Sequence, residues 1–177
     1  EVFFLDYFNC LAAGDKNHCS EIVSDLLYQK VDIKDIYTDL FQRSLYRMGK
    51  LWDDGKLNIA EEHSATQITL QLINTHRPKQ KKNKKISKRA VISCVDKEYH
   101  EIGARMVSNI FEFNGWETEF LGASVPAKDI IKFVKLKNPD VIGLSFNFYM
   151  NLLKLYTVVE HIKKFFPDKK IIFGGQA

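Results

Sequence analysis

The apolar pattern of this chain changes period once, near Ala90, and that change limits the fold more than any single residue does. Before it, apolar side chains recur at helical spacing. After it, short apolar runs alternate with amphipathic stretches long enough to be helices. A chain of 177 residues can hold one large domain or two small ones, and the change of period predicts two.

Residues 2–13 place Phe4, Leu5, Phe8, Leu11 and Ala12 on one helical face and stop at Gly14-Asp15. Residues 16–29 continue with Cys19, Ile22, Val23, Leu26 and Leu27. Asp32 or Asp35 can cap a third helix whose stripe is Tyr37, Phe41, Leu45, Met48 and Trp52. The turn Asp53-Asp54-Gly55-Lys56 ends it. Asn58 can cap a fourth helix with Ile59, His63, Thr66, Leu70 and Ile73 on one face. Four such helices with short loops predict a helical bundle over residues 1–76. One residue breaks the pattern: His63 stands where an apolar residue is expected.

Residues 77–89 have no periodicity and read as an exposed, flexible linker. Eight of those thirteen residues are Lys or Arg. The formal charge of +4 suggests a polyanion partner, but removing those eight from the 26 basic residues leaves 18 against 22 acidic ones. The basic run is therefore read as a solvated linker rather than a nucleic-acid surface.

From residue 90 the order is strand 90–95, helix 100–114, strand 117–121, helix 126–137, strand 141–145, helix 152–166 and strand 170–173. This alternation predicts a parallel sheet covered on both faces. The expected fold class is thus α plus α/β, a four-helix-bundle cap followed by a Rossmann/flavodoxin-like domain over 90–177. A fifth strand with its helix would need roughly thirty more residues, so that domain is expected to be cut short at Ala177. The chain begins at Glu1 without a signal pattern and is read as a piece of a longer protein. No apolar run is long enough to span a bilayer, so no membrane partner is expected. Cys10, Cys19 and Cys94 are odd in number and lack metal-ligand spacing, which fits a reduced, cytoplasmic setting.

Ligands in such sheets bind beyond the carboxyl ends of the strands. There, after the first strand, the chain reads Asp96-Lys97-Glu98-Tyr99-His100-Glu101-Ile102-Gly103. A neutral imidazole is a good ligand for a transition metal. A carboxylate two residues earlier can accept the other ring N–H and fix the tautomer. A glycine three residues later lets a bulky group approach the backbone. A Gly-x-Gly-x-x-Gly phosphate loop does not follow the strand, which counts against a dinucleotide site.

Glu98-x-His100-x-x-Gly103 resembles the Asp-x-His-x-x-Gly signature of base-off, His-on cobalamin-binding domains. Ser145 and Asn147 stand at that family's Ser-x-Leu/Thr position, and Gly174-Gly175 at its Gly-Gly position. Glu98 replaces the usual Asp, and Asn147 replaces Leu or Thr. The resemblance implies His100 as the lower cobalt ligand. It also implies a slot for the displaced nucleotide tail lined by Gly103, Ser145, Gly174 and Gly175.

In the helical half, Trp52 followed after nine residues by Glu62-His63 is similar to the Trp-x9-Glu-His motif of CarH/LitR-type photoreceptors. Those are light-responsive transcriptional regulators of the MerR class that use adenosylcobalamin. Taken singly, Trp52 reads as a core residue, Glu62 as a first-turn acid and His63 as an interior histidine; their joint spacing favours a site. The resemblance implies a cobalamin held between bundle and sheet domain, with Trp52 and Glu62 around the adenosyl group. It further implies cobalt–carbon cleavage by light, His63 as the upper ligand afterwards, and a homotetramer in the dark. A helix-turn-helix does not precede the bundle in this chain, so DNA is expected to be reached only through a head domain outside it. On this reading the chain is a sensor module and not an enzyme. The alternative is a methylcobalamin carrier of a methyltransferase system, though such carriers usually continue Gly-Lys-Asn where this chain has Gly103-Ala104-Arg105. A blander alternative is a domain pair that has lost cobalamin and serves only protein contacts.

Overall fold

A computed structural model describes residues 2–77 and 86–175. The expected linker, 77–89, falls mostly outside the described residues. The chain divides into two compact units, Glu1–Pro78 and Lys79–Ala177.

The first unit is helical: α1 Val2–Ala12, α2 Lys16–Tyr28, α3 Ile33–Asp35, a π-helical segment Ile36–Gln42 that runs into α4 Arg43–Asp53, and α5 Ile59–Thr75. Side-chain caps fix the starts. Asp15 accepts from the His18 N–H at 3.0 Å, and Asp32, the actual cap of the third helix, accepts from the Lys34 N–H at 2.9 Å. Asn58 and Glu61 form a reciprocal capping box at α5. The core is Tyr7, Phe8 and Leu11 of α1, Cys19, Ile22 and Val23 of α2, then Ile36, Tyr37, Leu40 and Phe41, and Met48 of α4.

Two stripes differ from the expected ones. On the third helix Tyr37, Phe41 and Met48 are buried as expected and Ser44 is buried with them, whereas Trp52, expected on the same stripe, is 45% exposed. On α5 the buried face is Ala65, Ile68, Thr69, Leu72 and Ile73 rather than the stripe through Ile59, His63 and Leu70. Thr69 can be buried because its hydroxyl donates to the Ala65 carbonyl at 2.9 Å. Ile59 and His63 consequently lie on the exposed side.

The second unit is a four-stranded parallel sheet, β1 Arg89–Cys94, β2 Glu117–Phe120, β3 Val141–Ser145 and β4 Lys170–Gly174, in the order β2-β1-β3-β4. Between the strands lie α6 Ile102–Phe113, α7 Ala127–Lys137, a 3₁₀ turn Tyr149–Asn151 and α8 Leu152–Phe165. Strand β1 is buried along nearly its whole length, as a central parallel strand must be. Ile92 and Cys94 of the strand pack with Ala104 of α6, while Val95, just beyond it, joins Ile142 and Leu144 in a cluster with α7 and α8. The strand order reverses between β1 and β3, which is the ligand-binding switch point of such sheets. Cys94, Ser145 and Gly174 lie side by side in register, so the loops after β1, β3 and β4 start from one level. No helix among the described residues is long and apolar enough to cross a membrane.

Gly143 sits in the middle of β3, where an added Cβ would stand 2.5 Å from Ile92 Cδ1. Gly143→Ala is expected to destabilise the α/β unit by about 1–3 kcal/mol through overpacking. Ile92→Val removes that same Cδ1 and alone costs about 0.5–1.5 kcal/mol. In the double variant the two costs should sum to clearly less than their separate values, as measured by urea unfolding.

Candidate functional site

The loop leaving β1 carries a carboxylate that is fully buried. Glu98 has no exposed surface, yet it lies at the carboxyl edge of the sheet. An ionised carboxylate survives there only if hydrogen bonds replace water. Oε1 accepts the His100 backbone N–H at 3.0 Å and the ring Nδ1–H at 2.7 Å. Oε2 accepts the Asn147 N–H at 2.7 Å, the Phe148 N–H at 3.4 Å and Asn151 Nδ2 at 3.0 Å. Burial by itself would raise the acid's pKa. The donations from Asn147 N–H, His100 and Asn151 outweigh it and hold the pKa below the usual carboxylate value. One side chain thus ties the β1 loop to the β3 loop across the switch point.

The consequence for His100 is a defined tautomer. A carboxylate only accepts, so the proton of the neutral ring lies on Nδ1 and the lone pair on Nε2. The imidazole is 55% exposed and stands edge-on to the Phe148 ring, with centroids 4.9 Å apart and planes at 74°. Nε2 therefore faces outward from an oriented ring. One such nitrogen gives a bare ion a single donor, but it suffices for a metal that a macrocycle already chelates.

The surrounding residues leave room for a large group. Nothing lies within 4 Å of where a Cβ would stand at Gly103 or at Gly174. Gly175 is different. Its φ is 154°, and a Cβ would run into the carbonyl of Phe146, so glycine lets the β4 end lie against the β3 loop. Ser145 is the register neighbour of Gly174 at the strand ends. The structure therefore brings Glu98, His100 and Asn147 into direct contact, with Ser145, Gly174 and Gly175 alongside. Gly103 opens the first turn of α6.

Two contributors escape sequence reading. Asn151 is a buried amide on the 3₁₀ turn after β3, flanked by Met150 and Leu152, and nothing local marks it as a partner of Glu98. The role of Asn147 toward Glu98 comes from its backbone N–H, which any residue but proline supplies. That explains why Asn can stand where Leu or Thr is usual.

In the helical unit Glu62 and His63 begin α5. His63 Nδ1 lies 2.7 Å from Glu62 Oε2, and Glu62 Oε1 accepts from Thr66 Oγ1 at 2.9 Å. The His63 side chain is 69% exposed. Trp52 is exposed at the end of α4, across the short connection to α5. Among the described residues, His63 and His100 are the histidines that rest Nδ1 alone on a carboxylate; His18 has a carboxylate at each nitrogen.

The α/β unit is an open parallel sheet that presents one oriented imidazole at its switch point, the arrangement of a ligand-binding module. The chain belongs to the B12-binding domain family: residues 88–177 match that domain, and residues 5–75 match a second B12 binding domain. It is 26% identical over 135 residues to the HTH-type transcriptional repressor CarH of Myxococcus xanthus, covering 75% of this chain and 44% of the repressor. It is 25% identical over 150 residues to dimethylamine corrinoid protein 1 of Methanosarcina acetivorans, covering 82% of this chain and 70% of that protein. The chain thus spans less than half of the repressor's length. The monomethylamine corrinoid protein of Methanosarcina barkeri shares the fold, with a TM-score of 0.80 and 19% identity over 98% of this chain and 84% of that one.

Because the Glu98 pKa is depressed in the folded state, its contribution to stability is present above the unfolded carboxylate value of roughly 4.3 and is lost as pH falls through the lower folded value. Glu98→Gln places an amide N–H against donors and should cost about 1–3 kcal/mol at neutral pH. The gap between wild type and Glu98→Gln should close as the medium is acidified. Urea unfolding followed by Trp116 fluorescence in a Trp52→Phe background checks this, and a gap independent of pH would contradict it.

Proposed function

We propose that this chain is the adenosylcobalamin-binding, light-sensing module of a transcriptional regulator. The observation that carries the reading is the repetition of one arrangement: Glu62–His63 on the helical unit matches Glu98–His100 on the α/β unit, each with Nδ1 on a carboxylate and Nε2 outward. The spacing of Trp52 from Glu62-His63 and the similarity to a helix-turn-helix repressor support it. The residues fit the group: one oriented imidazole nitrogen for cobalt, and open space at Gly103 and Gly174 for a bulky nucleotide tail.

When bound, the cofactor supplies a cobalt–carbon bond that light can break. His100 would hold cobalt through Nε2, while Glu98 keeps the ring proton on Nδ1. Ser145, Asn147, Gly174 and Gly175, together with Gly103, line the tail slot. Residues 1–76 act as the cap and 90–177 as the cofactor domain. Trp52 would cover the adenosyl group and Glu62 would accept hydrogen bonds from its hydroxyls. His63 would supply Nε2 as a second imidazole donor to the metal in place of the adenosyl group. Loss of the adenosyl contacts would bias the assembly of the protein. The dark form is a homotetramer of a cytoplasmic protein, and DNA is contacted through a separate head domain. The module itself is a sensor, not a catalyst.

A second reading, a methylcobalamin carrier for a methyltransferase system, draws on the similarity to the dimethylamine corrinoid protein over 70% of that protein's length. His100 and Glu98 would serve it equally. Adenosylcobalamin added in darkness, followed by illumination, separates the two. The sensor reading expects dark uptake with a His-on absorption spectrum, a light-dependent spectral change, and loss of the adenosyl mass. His100→Ala should abolish the His-on signature. His63→Ala should spare dark binding and change only the illuminated spectrum. Methyl transfer to or from the bound cofactor, without a lasting response to light, would establish the carrier instead.

A further inference from the structure

We propose that Ser124, on the loop after β2, is a positioning residue for the His100 imidazole. The direction of the β1 loop turns on one unusual residue. Glu98 N–H donates to the Val95 carbonyl at 3.0 Å, closing a turn whose third residue, Lys97, has a φ of 63°. A turn with that position left-handed ordinarily carries glycine or asparagine there. A lysine needs outside support to stay in it.

Ser124 gives that support from a separate loop. Its Oγ accepts the Lys97 N–H at 3.1 Å, and its own N–H donates to the Glu98 carbonyl at 2.8 Å. One residue therefore brackets the Lys97–Glu98 unit on both sides. Ser124 is itself left-handed, with a φ of 51°. The loop that carries it is anchored to the end of β1. Cys94 N–H donates to the Gly122 carbonyl at 3.0 Å, and Val95 bridges Val125 in parallel. Two residues in a sparsely populated backbone conformation thus hold each other at the mouth of the switch point, where such strain has a functional use.

The kink at Lys97 sends the Glu98 side chain into the protein and leaves His100, two residues on, facing out. Without an acceptor at position 124, the Lys97 N–H is released to water and the turn loses its outside partner. Glu98 keeps its own donors, so the loop does not unfold. The orientation of the imidazole becomes less defined. Among the described residues Ser124 makes no hydrogen bond to the ring, and it acts through Lys97 and Glu98. Its effect on the metal rests on the reading of His100 as the cobalt ligand, whereas its effect on the loop does not.

Two variants test the proposal. Ser124→Gly removes the hydroxyl but favours the left-handed backbone. Ser124→Asn keeps an acceptor and also tolerates that conformation. In the cofactor-free chain, amide exchange at Lys97 should speed up about three- to tenfold in Ser124→Gly, the range one ordinary hydrogen bond supports, and return toward wild type in Ser124→Asn. With adenosylcobalamin in darkness, Ser124→Gly should show a smaller His-on fraction and a dissociation constant raised by a similar factor, with Ser124→Asn again restoring both. Wild-type behaviour of Ser124→Gly in the exchange measurement overturns the proposal, as does equal impairment of Gly and Asn variants. If the wild-type chain takes up no cobalamin, the cofactor reading fails while the exchange measurement still decides the role of Ser124.

Discussion

A buried carboxylate is the constraint on which the site depends. Glu98 is placed where water cannot reach it, and its charge is tolerated because two loops supply its donors. Three of these, the His100 N–H, the Asn147 N–H and the Phe148 N–H, are main-chain groups, so the β1 and β3 loops must both adopt their observed paths. Any shift of either loop strands a charge. The same interaction that secures the loops decides which nitrogen of His100 carries a proton. The path of the two loops and the tautomer of His100 are therefore coupled through one side chain.

The sheet makes this coupling possible by bringing three strand ends to a common level. Cys94, Ser145 and Gly174 are register partners, and the order β2-β1-β3-β4 opens a crevice between β1 and β3. The glycines have distinct duties there. Gly143 inside β3 makes room for Ile92, Gly175 lets the β4 end lie against Phe146, and Gly103 and Gly174 leave open space. The helical unit repeats the imidazole–carboxylate motif in a simpler form. Glu62 and His63 are chain neighbours on one helix turn, stiffened by Thr66, and their exposure results from the helix burying its Ala65–Ile68–Thr69–Leu72 face.

Much of this was legible from the chain alone. Strand and helix order, the caps Asp32 and Asn58, and the placing of His100 beyond a buried strand are all consequences of local pattern. So is the pairing of Glu98 with His100, because a separation of two residues in a loop lets a carboxylate reach the ring. The π segment inside the third helix was not legible, since it has no sequence code, and neither was the exposure of Trp52 at that helix's end. Nor was the buried face of α5. That helix carries two apolar stripes, and the choice between them depends on which one the neighbouring helices can cover.

The sequence by itself determined the elements and the identity of the donor atoms: a short-range carboxylate–imidazole pair at a strand end, and another at a helix start. Only the tertiary structure decided that Asn151 and the main chain of Asn147 complete the shell of Glu98 from some fifty residues away. It likewise decided that Ser124 supports Lys97 from the next loop. The physical reason is the range of the interactions. Helical and turn preferences act over a few residues and leave a periodic trace. A hydrogen bond from a distant N–H leaves none, because every residue other than proline carries the same donor and only the packed sheet selects which one arrives.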